Sequence, residues 1–145
     1  MTRLIVFLYL LLISSTAIAQ NFTQKEKEKI KQEIEQLSAA EQNAFEIGEC
    51  EKVADFFDED VVFYAAGRKA PSVQFIQNFC SRIPRPFEKA GEITEDIYVM
   101  SPSVVHTIKV IELAEKKQRE VVTKIWHKTT DGWKIIHFHS SINQL

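Results

Sequence analysis

The chain has 145 residues, 45% of them hydrophobic, with 18 Lys and Arg against 20 Asp and Glu. A formal net charge of −2 offers no basic excess for nucleic acid, and with only four glycines no phosphate-cradling loop or cofactor fingerprint is present. The length suits one domain with a single core.

The chain opens "MTRLIVFLYLLLISSTAIAQ", with cationic Arg3, an apolar run over residues 4–13, and small residues Ala17 and Ala19. The run is short for a membrane span, and the small-x-small ending fits a signal-peptidase site. This predicts a cleaved secretory signal over residues 1–19 and a domain over residues 20–145. The mature protein is expected to be secreted or periplasmic, without membrane attachment, its charge falling to about −3 once Arg3 is removed. Two cysteines, Cys50 and Cys80, then sit in an oxidising context. Their spacing leaves open a disulfide or two buried thiols.

From Lys25 onward, "KEKEKIKQEIEQLSAAEQNAFEIGEC" places Ile30, Ile34, Leu37, Ala44 and Phe45 between charged residues and stops at Gly48. This predicts a long amphipathic helix closed by glycine, its first charged turn facing solvent. "CEKVADFF" reads as a shorter helix, and "DVVFYAA" as a strand. In "APSVQFIQNFCSRIPRP", Ser72 is a candidate cap, Val73, Ile76, Phe79 or Cys80, and Ile83 recur at helical spacing, and Pro84 and Pro86 end the helix. After Gly91 the period becomes two, with strands expected near 93–100, 103–114, 119–129 and 133–142, turning at "SPS", "EKKQ" and "TTDG". Helices followed by a meander define an α+β fold in which a curved antiparallel sheet packs around N-terminal helices. A strongly twisted sheet has a concave face that one helix does not fill, which makes a pocket.

The last hairpin holds three of the four histidines and both tryptophans. A three-residue turn with a left-handed Gly132 sets Thr129 opposite Trp133, Trp126 opposite Ile136, Ile125 opposite His137 and Lys124 opposite Phe138. One face then carries Val122, Lys124, Trp126, Ile136, Phe138 and Ser140; the other carries Thr123, Ile125, His127, Trp133, Ile135, His137 and His139. His137 and His139 point the same way along one strand without a nearby acid, so no metal site is expected.

The element order, together with the ending "TKIWHKTTDGWKIIHFHSSI", resembles the nuclear transport factor 2-like (NTF2-like, cystatin-like) superfamily. The resemblance is to its SnoaL-like branch and to the association domain of calcium/calmodulin-dependent kinase. It implies a cone of curved sheet that commonly dimerises through its outer face. It also implies that cone-lining arginines of the association domain correspond to Lys124, Ser140 and Lys109, which makes the Lys124 face the concave one. Lysine lacks the planar fork of arginine, so a bidentate carboxylate clamp does not carry over.

The candidate ligand-binding residues are accordingly Lys109, Lys124, Trp126, Phe138, Ser140 and Tyr64. Two buried lysines need a counter-charge, either from an internal acid such as Glu46 or Asp96 or from a ligand anion. The favoured reading is an exported, non-catalytic module that binds a small anionic ligand and assembles as a homodimer or larger homo-oligomer, without cofactor or metal. The alternative is an isomerase, dehydratase or cyclase of the SnoaL or ketosteroid-isomerase type, with Tyr64, Asp96, Tyr98 and His106 as candidate groups and no assigned catalytic set.

Overall fold

A computed structural model of the protein describes residues 22–65, 67–86 and 91–145. The proposed signal over residues 1–19 lies outside them. Helix α1 (Gln24–Ile47) opens on a reciprocal cap in which Thr23 accepts from the Glu26 amide and the Glu26 carboxylate accepts from the Thr23 amide. It closes at Gly48 in the left-handed conformation, as the sequence predicts. Its buried stripe is Ile30, Ile34, Ser38, Glu41 and Ala44, so two polar residues continue the apolar spacing inward.

Helix α2 (Cys50–Asp55) leads into β1 (Phe57–Ala65) and the short β2 (Arg68–Lys69). Helix α3 (Val73–Arg82) begins at Ser72, whose hydroxyl accepts from the Phe75 amide. A Cys50–Cys80 disulfide ties α2 to α3 with the Cα atoms 5.6 Å apart, which settles the cysteine question. Arg85 lies against this bridge and donates to the Phe45 and Cys80 carbonyls.

Strands β3 (Glu92–Ser101), β4 (Val104–Leu113), β5 (Gln118–Thr129) and β6 (Gly132–Gln144) form the expected antiparallel meander. The sheet order is β2-β1-β6-β5-β4-β3, and β1 joins β6 in parallel, so the sheet is mixed rather than wholly antiparallel. No described helix is long and apolar enough to cross a membrane.

The final hairpin departs from the predicted register. Thr129 pairs with Gly132 across a two-residue turn, with the Thr129 hydroxyl donating to the Gly132 carbonyl and accepting from the Asp131 amide. Lys124 faces Phe138 and Ile125 faces His137, as expected, but Trp126 faces Ile135. An extra residue, Ile136, sits in a bulge between these pairs and reverses the alternation toward the turn. Trp133 and Ile135 are therefore core residues packed with Trp126 on the concave side, and they are not on the outer face.

Candidate functional site

The concave side of the sheet is set by alternation. On β4, Val105, Thr107 and Lys109 are buried; on β5, Val122, Lys124 and Trp126; on β6, Trp133, Ile135 and Ser140. Lys124 and Lys109 are thus brought to one face, as the resemblance implies, and each meets an acid that the sequence reading did not single out.

Lys124 lies against Glu41 of α1, Nζ to Oε2 2.5 Å, and both side chains are buried. Lys109 has Glu95 of β3 at 3.8 Å. The Ser38 hydroxyl lies 2.8 and 2.9 Å from the two Glu95 carboxylate oxygens and fixes that carboxylate. The counter-charges expected from Glu46 or Asp96 come instead from Glu41 and Glu95. Asp96 is one residue from Glu95 and so projects to the other side of the sheet, opposite Ile108. Two signals in the sequence point to the actual partners. Glu41 continues the helical spacing of Ile30, Ile34 and Leu37, and Glu95 shares strand parity with Ile93 and Ile97.

An open cavity of about 320 Å³ lies between α1 and the β3 edge. Helix α1 contributes Glu35, Gln42, Asn43 and Glu46, β3 contributes Ile93, Glu95 and Ile97, and Lys109 lies on its β4 side. The side chain of Lys109 is only 6% exposed, and its ammonium makes no hydrogen bond among the described residues. Burial holds Lys109 below the ordinary lysine range and Lys124 pushes the same way, while Glu95, Glu41 and Glu46 pull it back up.

The remaining candidates are dispersed. Trp126 is fully buried in the core, with no hydrogen-bond partner for its indole N–H among the described residues. Phe138 stacks on Phe63 with ring centroids 4.2 Å apart. The Ser140 hydroxyl donates to Glu120, a further acid of the concave side. Tyr64 is 39% exposed and pairs with His139 on the convex face, away from the cavity. Asp96, Tyr98 and His106, the other groups weighed for catalysis, also alternate outward. Tyr98, His106, Ile125, His137 and Val62 form one cross-strand row on that face, and neither His nor Tyr is among the described residues that line the cavity. Among the described residues no group of three or more His, Cys, Asp or Glu could hold a metal ion.

No family model matches the sequence, and no curated protein matches it. Solved structures do match in fold. A protein of unknown function from the DUF3225 family of Pectobacterium atrosepticum superposes with a TM-score of 0.69 at 15% identity, covering 85% of this chain and 94% of that one. The association domain of calcium/calmodulin-dependent protein kinase II from C. elegans gives 0.62 at 14% identity, covering 82% and 99%. A putative scytalone dehydratase from Novosphingobium aromaticivorans gives 0.58 at 12% identity, covering 85% and 92%. The fold is the NTF2-like (cystatin-like) α+β architecture, found alike in a structure named as a putative dehydratase and in one named as an association domain.

Proposed function

We propose that the protein is an exported, non-catalytic binding module that self-associates and takes a small ligand bearing an anionic group, such as a carboxylate, in the cavity between α1 and β3. One observation carries this reading. Lys109 places a buried ammonium on open cavity space with its nearest carboxylate at 3.8 Å and no hydrogen bond among the described residues. A desolvated ammonium gains most from an acceptor at closer range. Lys124, by contrast, already has a close partner in Glu41, so the anion-binding role rests on Lys109 alone.

The isomerase or dehydratase alternative loses ground because Tyr64, Asp96, Tyr98 and His106 all lie on the convex side, out of reach of the cavity. Self-association is supported by likeness to an association domain and by the apolar and aromatic groups exposed on the convex face, among them Val62, Tyr64 and Tyr98. Export rests on the pattern of the first nineteen residues.

Native mass spectrometry of protein purified from its exported compartment reports subunit number and retained ligand together. A panel of carboxylate-bearing small molecules tests the site. Binders should raise the melting temperature of the wild type and lose that effect in Lys109→Met. A panel without effect, or an equal response in the variant, overturns the anion site.

A further inference from the structure

The charges around the cavity do not balance. Behind and within it stand two ammonium groups, Lys109 and Lys124, and four carboxylates, Glu35, Glu41, Glu46 and Glu95. Glu41 is taken up by Lys124 at 2.5 Å, and Glu95 stands next to Lys109 and is held by Ser38. Half-buried Glu46 and exposed Glu35 remain as surplus carboxylates on the α1 wall; Gln42 donates to Glu46 at 3.0 Å, and neither carboxylate has an ion pair among the described residues.

A ligand with only an anionic group would meet Lys109 at the price of approaching this surplus. A ligand with only a cationic group would leave Lys109 as it is. Glu46 lies near enough to Lys109 to act on its charge, so both demands fall within one small volume. That volume holds roughly ten waters' worth of space at about 30 Å³ each, and Ile93 and Ile97 give it an apolar side.

We infer that the ligand of this site is a compact zwitterion, with its carboxylate on Lys109, its ammonium on Glu46 and Glu35, and a short hydrocarbon spacer against Ile93 and Ile97. This deepens the anion-site reading and rests on it. Opposite charges at both ends complement the wall on both sides, which single-charge ligands cannot do. The wall also weakens the binding of simple carboxylates relative to zwitterions, because it sets like charge near any anion that lacks a compensating amine.

The test is calorimetric titration of the full mature protein with a homologous series of ω-amino acids, alongside fatty acids and alkylamines of matched length. The ω-amino acids should bind more tightly than either matched set. The Glu35→Gln/Glu46→Gln double variant keeps the amide-acceptor geometry at Glu46. It should weaken amino-acid binding by roughly tenfold or more, the order of a lost charge-assisted hydrogen bond, while the protein still shows a cooperative melting transition. Lys109→Met should abolish binding of both carboxylate-bearing sets. Fatty acids that bind as tightly as amino acids, or a double variant that binds amino acids undiminished, overturn the zwitterion inference and leave the anion site standing. Alkylamines that match the amino acids, no binding by any carboxylate-bearing compound, or binding that survives in Lys109→Met, overturn both.

Discussion

Lys124 and Glu41 form a buried ion pair across the interior, joining the middle of β5 to the inner stripe of α1. Breaking such a pair from one side leaves an uncompensated charge in the core. Lys124→Met should therefore cost about 3–5 kcal/mol, whereas Lys124→Met combined with Glu41→Leu should recover most of it. Chemical denaturation of the three proteins checks this; a single variant as stable as wild type would show that the pair is not desolvated.

The cavity lysine predicts a different dependence. Its pKa is lowered in the folded state, by burial first and by Lys124 second, so the unfolded chain holds that proton more tightly. The cost of burying the ammonium is present in full below the folded-state pKa, and stability rises with pH from there toward the unfolded value of about 10.4. The proposed anion binding should run the opposite way and be lost as Lys109 gives up its proton. Melting curves and titrations in that alkaline range should show wild type gaining relative to Lys109→Met while its ligand response fades. Parallel pH profiles for the two proteins would contradict this.

The disulfide closes a loop with a sequence separation of 30 residues. Loop-closure entropy for that length is worth about 3–4 kcal/mol at room temperature. Cys50→Ala/Cys80→Ala, or reduction by a dithiol, should lower stability by about 2–4 kcal/mol, as read by urea denaturation. An unchanged midpoint would place the bridge's contribution elsewhere.

On the convex face, half-buried Ile125 lies between His106 and His137 at the centre of the cross-strand row whose ends, Tyr98 and Val62, are exposed. Ile125→Glu should convert an associated wild type into monomer in sedimentation velocity without loss of the melting transition. Trp133 and Ile135 do not serve this purpose, since they lie in the core and substitution there would unfold the domain. A wild type already monomeric at micromolar concentration would remove the convex face as an interface.

Much of this architecture was legible from spacing. The α1 stripe, the Gly48 stop, the four meander strands and the pairing of Lys124 with Phe138 follow from periodicity and turn chemistry. The Trp133 end of the same hairpin did not follow, because a two-residue turn and one bulged residue are locally as reasonable as a three-residue turn, yet they reverse every side chain beyond the bulge. Lys109 and Lys124 were placed through a resemblance. Glu41 and Glu95 were missed because a carboxylate on an amphipathic helix or strand ordinarily marks the wet side. The parallel docking of β1 left no local trace, since it depends on which distant strand has a free edge.

That docking divides the sheet by origin. Strands β3 to β6 are stitched by three successive hairpins, so each finds its neighbour a few residues away and the meander closes on local contacts. Strand β1 must find β6 across most of the domain, Val62 coming to rest beside His137. It makes that search inside the loop bounded by Cys50 and Cys80, which tethers both of its flanks. Oxidation therefore shortens the search of the one strand that travels far, and reduction should speed amide-proton exchange in β1 more than in the inner meander strands β4 to β6.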